Sequence, residues 1–328
     1  MNTKEEKIEN CKVSPQELKR WAYLRQRQKE FFCLRIKSSL GMLNSEQLIK
    51  LADVARNYGQ GIVHLTPRQG IEIPYVHENN LLSVREELEK VGLGISANGP
   101  RVRTVVSCPG TRWCPWAWVD TLNLAEQIEK EFYGKEEIEI SSWDYDTVKD
   151  LEIPEINREL LETRLKNKIS LPHKFRISIS GCTNSCARAQ ENEVGFCGQV
   201  MPEWNKDKCS FCRICEGICP TDAIKIHPRK KEVELENSKC VYCGLCILNC
   251  PQGAWYAKLV GLAMYVGGKW GRFPQFGKKI ANFLDEKQVL IAIKKVLEFY
   301  VKEAKKGERL ANLLNRVGLD RIRQEVIA

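Results

Sequence analysis

The sequence contains no apolar run of about 18 or more residues, which is the length that a membrane-spanning helix requires. The first ten residues, MNTKEEKIEN, also lack the apolar stretch of a secretion signal. The most apolar segment, residues 253–268, is shorter and contains Lys258, so we expect a buried core segment there. These absences predict a cytoplasmic protein without a membrane span, in which cysteines stay reduced.

Two kinds of binding motif are also absent. The net charge is +9, but no basic run interleaved with aromatic residues occurs, so we expect no nucleic acid partner. No glycine-rich fingerprint for a flavin or a nicotinamide is present. The positive charge is equally compatible with an anionic cofactor, an anionic substrate or an acidic partner protein.

Cysteine, in contrast, is abundant, with fifteen residues in 328. Eight of them form two CxxCxxCxxxCP runs, a spacing typical of bacterial ferredoxins with two [4Fe-4S] clusters, in which the fourth cysteine of each run binds the other cluster. Zinc knuckles are the alternative, but zinc needs only four ligands per site and does not explain the repeated Cys-Pro. We therefore predict a first ferredoxin set, Cys209, Cys212, Cys215 and Cys250, and a second ferredoxin set, Cys240, Cys243, Cys246 and Cys219.

Four further cysteines form two pairs, which we call the strand-end cysteines: Cys108 and Cys114 in SCPGTRWCPW, and Cys182 and Cys186 in SGCTNSCARA. Residues 102–107 and 175–180 each read as a strand that ends just before a pair. Two strand ends could bring the pairs together around a third cluster, although spacing alone leaves zinc or a lone cluster open. Cys11, Cys33 and Cys197 fit no motif, and we interpret them as ordinary thiols.

Hydrophobic periodicity and capping signals predict an α+β sandwich near the start of the chain. In it, the turn Pro67-Arg68-Gln69 should be exposed at a strand end. Residues 135–168 read as a connecting region with some helix, and residues 253–328 as mainly helical. The predicted helices are 14–29, 45–58, 80–91, 119–132, 285–305 and 308–326, and the predicted early strands are 31–37, 61–66 and 70–75.

These cysteine motifs, together with LTPRQG and LPHKFR, resemble the sirohaem nitrite and sulfite reductase family. The resemblance extends over residues 31–254, and GGKWGRFP at 267–274 is similar to the family's closing segment. Within the family it favours the anaerobic sulfite reductases that carry a two-cluster ferredoxin. It implies an α+β fold, a half-unit with a ferredoxin-like sandwich at 1–95, a sirohaem and [4Fe-4S] domain at 96–202 and 253–328, and an inserted bacterial 2[4Fe-4S] ferredoxin domain at 203–252.

The resemblance also assigns roles to residues. The strand-end cysteines would bind a [4Fe-4S] cluster, and Cys186 would also bridge it to the sirohaem iron. Four basic residues would surround the substrate on the sirohaem; we call Arg68, Arg103, Lys174 and Arg176 the basic quartet. Lys174 and Arg176 lie two apart on a predicted strand and so share a face. Guanidinium groups suit an oxyanion in a desolvated pocket.

The sequence departs from the family at two positions. Arg176 stands where a lysine is frequent, and because arginine does not release its proton, Lys174 becomes the better proton relay. His173 is a weaker candidate donor. Thr183 replaces a proline of the GCxNxC motif, which should loosen that loop without removing a ligand.

The implied activity is the six-electron reduction of sulfite to sulfide, with electrons passing through the two ferredoxin clusters. Since no flavin or nicotinamide motif is present, we expect the electrons to come from an electron-donor protein. The resemblance implies companion subunits with flavin and iron-sulfur centres as this donor. Larger family members contain two copies of this unit and this chain has one, so we predict a homodimer or higher assembly in which Cys186 faces the basic quartet of a partner chain. The alternatives are reduction of nitrite to ammonia, and a non-enzymatic electron-transfer or sirohaem-binding subunit.

Overall fold

The computed structural model describes residues 22–96, 98–134, 137–139 and 168–327, with only the backbone described at 137–139 and 168–170. The strands in this part of the chain are β1 (Tyr23–Arg25), β2 (Phe31–Ile36), β3 (His64–Leu65), β4 (Ile71–His77), β5 (Val106–Ser107), β6 (Glu137–Glu139), β7 (Lys168–Ser170), β8 (Ile177–Ser180), β9 (Val194–Trp204), β10 (Ile224–His227), β11 (Glu232–Leu235), β12 (Trp255–Val266) and β13 (Lys278–Leu284). The helices are α1 (Ser45–Tyr58), α2 (Leu81–Glu89), α3 (Thr121–Phe132), α4 (Ile214–Gly217), α5 (Leu245–Leu248), α6 (Glu286–Glu303), α7 (Leu310–Val317) and α8 (Leu319–Ile327).

The first part of the described chain forms a four-stranded antiparallel sheet in the order β1-β2-β4-β3. Alternate residues of β2 are buried, and they pack with α1 and α2 in one apolar core. Helix α1 begins at Ser45 because Asn44 and Gln47 form a capping box, in which each side chain accepts from the other residue's backbone N–H. The predicted sandwich is confirmed in β2, β4, α1 and α2.

The predicted helix at residues 14–29 is wrong where the structure describes it. Residues Tyr23–Arg25 form β1, and Tyr23 lies opposite Leu34 on the neighbouring strand. Pairing with β2 therefore outweighs the local capping signal. Hydrophobic periodicity does not reveal this contact. The earlier part of that predicted helix lies outside the described residues.

A five-stranded sheet in the order β13-β12-β9-β8-β5 forms the centre of the second part. Strands β5, β8 and β9 run parallel, whereas β12 and β13 are antiparallel to their neighbours. Its core packs against α3, α6, α7 and α8, and includes the fully buried rings of Phe175, Phe196 and Tyr300. The centroids of the Phe175 and Tyr300 rings lie 6.0 Å apart. Aromatic rings bury a large apolar surface, so these three contribute to the stability of this sheet.

The prediction of a mainly helical segment at 253–328 is wrong for its first half, which contains β12 and β13. Residues 261–264 of β12 are buried as expected, but residues 256–260 are exposed. A short apolar run does not distinguish a strand from a helix by periodicity alone. Helix α6 confirms the prediction at 285–305, while the predicted helix at 308–326 is divided into α7 and α8 at Gly318, whose φ is +91°.

The cysteine-rich segment lies between two neighbouring strands of this sheet. The chain leaves β9 at Trp204 and returns to β12 at Trp255, and these two residues are directly opposite each other in the antiparallel ladder. Between them lie the β10–β11 hairpin and the short helices α4 and α5. Cys215, Ile226 and Cys246 are among the residues of a small core of their own there. The boundaries at 95/96, 202/203 and 252/253 remain predictions, and most of the connecting region 135–168 lies outside the described residues, which include β6 within it.

Candidate functional site

The strand-end cysteines follow two adjacent parallel strands, β5 and β8. Parallel neighbours end at the same edge of a sheet, so Cys108 and Cys182 arrive side by side. The backbone N–H of Gly181 donates to Cys108 Sγ at 3.0 Å. A Cβ at position 181 would lie 2.8 Å from the Cβ of Ala117, so only glycine allows this close approach. The predicted delivery of both cysteine pairs to one place is therefore seen in the fold.

The other three strand-end thiols lie within electrostatic range of Cys182. Burial raises the pKa of Cys182, and the neighbouring thiols of Cys114, Cys186 and Cys108 raise it further. In the described part of the chain, no group of three His, Cys, Asp or Glu side chains is placed to hold a metal ion. A [4Fe-4S] cluster is larger than a single ion, and each of its cysteines binds a different iron. Its four cysteines therefore do not need to converge on one point.

A cavity of about 750 Å³ opens beside these thiols. Cys186, which is exposed, and Cys108 lie on its wall, and so does the whole basic quartet. One chain therefore brings together the two groups that the predicted composite site would take from different chains. A composite site is not required by this geometry, and the pairing of two chains remains a prediction.

The turn that carries Arg68 is fixed to the end of β5 by its neighbour Gln69. The side-chain amide of Gln69 donates to Ser107 O at 2.7 Å and accepts from Ser107 N at 3.1 Å. Arg68 donates to Asn192 Oδ1 and, at 3.3 Å, to Thr104 O. The predicted turn is present, but Arg68 is half-buried rather than exposed, because it points into the cavity wall. Burial, followed by repulsion from Arg176, lowers the pKa of Arg68.

Arg103 and Lys174 contribute two more cations to the wall. Arg103 donates to Asn98 Oδ1 at 2.7 Å and to Gly99 O at 2.9 Å, and burial lowers its pKa to about 10. Burial is also the main cause that lowers the pKa of Lys174, and Arg309 and Arg176 lower it further. No ion pair to Lys174 occurs among the residues that the structure describes. An anion entering the cavity therefore meets a lysine whose charge is not already neutralised.

Arg176 is held differently from the other three. Its Nε donates to Glu193 Oε2 at 2.7 Å, and its backbone N–H donates to the same oxygen at 3.2 Å. The other oxygen of Glu193 accepts from Arg309, with 2.9 Å between Oε1 and Nε. The side chain of Glu193 is fully buried, so both guanidinium groups compensate one carboxylate. Arg176 therefore reaches the cavity with its orientation fixed and much of its charge balanced.

Sequence reasoning missed Gln69, Asn192, Glu193 and Arg309. Gln69 is in the TPRQG segment that identified Arg68, so the segment itself contained a usable signal. Arg309 lies 116 positions from Glu193, and nothing local indicates that they meet.

The two ferredoxin sets each line a small cavity of their own. One cavity is lined by Cys209, Cys212, Cys215 and Cys250, and the other by Cys219, Cys240, Cys243 and Cys246. These are the two predicted sets, including the exchange of the fourth cysteine. Both loops use left-handed backbone at the same positions, Phe211 and Arg213 in one and Tyr242 and Gly244 in the other. The two CxxCxxC loops therefore have the same conformation.

Backbone N–H groups point at the sulfur atoms of both sets in the same pattern. Ala223 N donates to Cys219 Sγ at 3.3 Å, and Ala254 N donates to Cys250 Sγ at 3.2 Å. Burial alone would raise the pKa of Cys219, but surrounding backbone N–H groups outweigh it, and the pKa is lowered. The pKa of Cys250 is lowered for the same reason. The thiolate is the form that binds iron, so these loops suit clusters bound through thiolates.

The residues present also fit a large anionic cofactor in the main cavity. Its volume lies within the range of about 300–1,000 Å³ that ligand pockets occupy. The basic quartet supplies positive charge on the wall, and Cys186 supplies an exposed thiol beside the other strand-end cysteines. These residues would suit a metal group that has acidic substituents and is linked through a thiolate.

Two family models match the chain over most of its length. The one described as "Nitrite and sulphite reductase 4Fe-4S domain" matches residues 98–328, and the one described as "Nitrite/Sulfite reductase ferredoxin-like half domain" matches residues 24–91. The fold and the site thus define an oxidoreductase with a [4Fe-4S] domain. The chain belongs to the nitrite and sulfite reductase family.

Several curated proteins are similar to the chain. An uncharacterized protein of Methanocaldococcus jannaschii is 30% identical over 91% of this chain and 92% of its own length. The coenzyme F420-dependent sulfite reductase of the same organism is 33% identical over 87% of this chain, which corresponds to 40% of that protein. One subunit of the anaerobic sulfite reductase of Salmonella typhimurium is 26% identical over 88% of this chain and 80% of its own length. The chain thus spans less than half of one of these relatives.

A solved structure, that of dissimilatory sulfite reductase I, has the same fold, with a TM-score of 0.66. The match covers 91% of this chain and 69% of the other at 18% identity. Within the described residues, no helix has the length and apolar character needed to cross a membrane.

Proposed function

We propose that this chain reduces sulfite to sulfide at a sirohaem that Cys186 bridges to a [4Fe-4S] cluster on the strand-end cysteines. One observation carries the proposal: a single cavity combines the exposed thiol of Cys186 with all four cations of the basic quartet. A lone thiol or a scattered group of arginines is common on protein surfaces and would indicate no particular chemistry. Together in one cavity they match what a metal-bound oxyanion needs.

Bound sirohaem would supply an iron that takes up the substrate and passes electrons to it one at a time. The chain's own residues have three other tasks. The basic quartet would bind the carboxylates of the cofactor and the oxygens of sulfite, because an anion in a desolvated cavity is costly without positive partners. Strands β5 and β8 would hold the cluster at the cavity wall. Glu193 would keep Arg176 in place.

Proton delivery falls to Lys174 in this proposal. Arginine keeps its proton at any ordinary pH, so Arg68, Arg103 and Arg176 can orient the substrate but cannot supply protons to its oxygens. The pKa of Lys174 is lowered by burial and by nearby arginines, which makes its ammonium a better acid than that of a surface lysine. His173 is weaker in this role, because its Nδ1 accepts the backbone N–H of Lys174 at 2.8 Å.

The two ferredoxin sets would hold two more [4Fe-4S] clusters that bring electrons to the site. The donor would be another protein or a companion flavin and iron-sulfur subunit, and a positively charged chain suits an acidic donor. We also propose that two chains pair, with the cavity near their contact. The anaerobic relative is itself named as a subunit, which supports an assembly of several chains.

Nitrite is the second candidate substrate, because the matching family models name both nitrite and sulfite reductases. Relatives named as sulfite reductases, one of them F420-dependent and one anaerobic, favour sulfite. A purely electron-carrying subunit would need the ferredoxin sets but not the basic quartet. The presence of the quartet on the cavity wall favours an enzyme.

The test is to purify the chain anaerobically with sirohaem loaded, and to supply reduced methyl viologen. Sulfide formed from sulfite and ammonia formed from nitrite are then measured side by side. Sulfide at the higher kcat/KM supports the proposal, and ammonia without sulfide identifies a nitrite reductase. Neither product, despite a reducible sirohaem, identifies an electron carrier. Lys174→Gln should lose most activity, whereas Lys258→Gln, which removes an exposed partner of Glu203, should not.

A further inference from the structure

Trp118 lies four positions after Cys114, in the turn that leaves the strand-end cysteines. This turn is fixed to the loop that precedes the second cysteine pair. The backbone N–H of Trp118 donates to Gly181 O at 2.8 Å, and Gly181 immediately precedes Cys182. The backbone N–H of Ala117 also donates to Cys114 O, at 3.3 Å. The backbone of Trp118 is thereby held against the strand-end cysteines.

The side chain of Trp118 points the other way, to the second ferredoxin set. Its indole Nε1–H donates to the carbonyl oxygen of Cys243 at 3.0 Å. A Cβ on Gly244 would lie 2.2 Å from Cζ2 of this indole, and the φ of Gly244 is +77°, so glycine is required on both counts. On the other side of the loop, Val200 N donates to Tyr242 O at 3.0 Å. The loop of the second ferredoxin set is thus docked on Trp118 and on strand β9.

In the part of the chain that the structure describes, the first ferredoxin set has no such connection. Among the described residues, no hydrogen bond joins its loop, residues 209–215, to the Trp118 turn or to the strand-end cysteines. Its cavity is instead closed by Phe211, Ile226 and Trp255. The two ferredoxin sets are therefore not equivalent with respect to the site.

We propose that Trp118 is a positioning residue. It would hold the cluster of the second ferredoxin set at a fixed distance for electron transfer to the cluster on the strand-end cysteines. The first ferredoxin set would then hold the cluster at which electrons enter, and the second set the cluster from which they leave, beside Cys243, toward the cluster on the strand-end cysteines. This inference rests on the proposed function for the identity of the metal groups. It adds the order in which electrons would pass the clusters. It also assigns to Trp118 the coupling between the second ferredoxin set and the strand-end cysteines.

The connection itself is short. It runs from the Cys243 carbonyl through one hydrogen bond to the indole, and from the Trp118 backbone through a second hydrogen bond to Gly181, next to Cys182. Each transfer moves one electron from a reduced cluster to an oxidised one. The indole is neither oxidised nor reduced, since its task is to fix the distance and to provide a hydrogen-bonded path.

The experiment compares the sirohaem-loaded wild type with Trp118→Phe, which keeps an aromatic ring and removes the N–H donor. A laser flash with a deazaflavin photoreductant delivers electrons to the protein, and absorbance follows the iron-sulfur centres and the sirohaem separately. The second-order reduction of the ferredoxin clusters should stay unchanged. The later first-order phase, in which the sirohaem is reduced, should be severalfold slower in the variant. Trp116→Phe, an exposed tryptophan of the same turn, is the matched control and should behave as wild type.

Iron analysis and electron paramagnetic resonance must show that the variant keeps all its clusters. If Trp118→Phe loses them, placing 3-benzothienylalanine at position 118 keeps the shape of tryptophan without the N–H and allows the same comparison. A first-order phase equal to wild type, in a variant with its clusters intact, would overturn the inference. A wild type that forms no sulfide but whose internal transfer depends on Trp118 would refute the proposed function and leave this inference standing.

Discussion

Arg176 Nε and Glu193 Oε2 lie 2.7 Å apart, and the glutamate is fully buried behind the basic wall of the cavity. Arg309 pairs with the other oxygen of the same carboxylate. Two cations and one anion thus form a buried group with net positive charge. A buried carboxylate of this kind is stable only with its partners, so the three residues should depend on one another.

Glu193→Gln should therefore destabilise the protein markedly. The amide retains one acceptor oxygen but no charge, which leaves two guanidinium groups close together without a counter-ion. We expect the free energy of unfolding to fall by about 3 kcal/mol or more, the usual cost of breaking a buried ion pair. Urea unfolding followed by circular dichroism measures the loss. Glu203→Gln, which breaks the exposed pair with Lys258, should leave the urea unfolding curve close to that of wild type.

Binding of the anionic substrate should weaken at alkaline pH. The pKa of Lys174 is lowered from the ordinary lysine value of 10.5, mainly by burial, so this ammonium loses its proton at lower pH than a surface lysine. Between the pKa of Lys174 in the folded protein and its pKa in the unfolded chain, the folded state binds fewer protons. The free energy of unfolding therefore rises with pH over this range, because the buried charge is lost. Sulfite affinity should fall over the same range. In Lys174→Arg the fall should move to higher pH, because a guanidinium holds its proton more strongly than an ammonium in the same place. A fall at an unchanged pH would assign it to another group.

Cys186→Ala should remove one cluster and leave the other two. Its thiol is the exposed one of the four strand-end cysteines and lines the main cavity, and the ferredoxin sets line separate cavities. We expect iron content to drop by the equivalent of one [4Fe-4S] cluster, with loss of stable sirohaem binding. Cys33→Ala is the control, since Cys33 lies on β2 and lines a different cavity. Equal iron loss in both variants would contradict the assignment.

Gly195→Ala should disturb the central sheet. A Cβ at this position of β9 would lie 1.9 Å from Ala189 O, a backbone atom that cannot move aside alone. The 188–191 segment also carries the carbonyl of Glu191 that accepts from Arg176, so the cavity wall should shift with it. We expect a destabilisation of about 1–3 kcal/mol or more, typical of overpacking. A Cβ at Gly94 meets nothing within 4 Å, so a thermal unfolding midpoint for Gly94→Ala near that of wild type is the reference.

Cysteine spacing made the site largely predictable. The CxxCxxC runs and the strand-end pairs are local patterns, and covalent spacing alone limits which thiols can meet. Resemblance then supplied the basic quartet. Glu193, Arg309 and Trp118 could not be found in this way, because each acts through a partner more than a hundred positions away and none belongs to a local pattern.

The fold was predictable where elements carry their own start and stop signals, as α1 does with Asn44 and Gly59. It was not predictable in β12, where an apolar run is buried at one end and exposed at the other. Strand β1 was missed because its partner strand, and not its own residues, determines its conformation.

The pairing of Trp204 with Trp255 has a consequence for how such a protein can change over evolution. Strands β9 and β12 are antiparallel neighbours, so a turn of a few residues would connect them as well as the cysteine-rich segment does. The segment is in effect a very long hairpin loop. An ancestor could gain or lose it in one genetic event without altering the register of the central sheet, and related chains could exchange one cysteine-rich segment for another at this point.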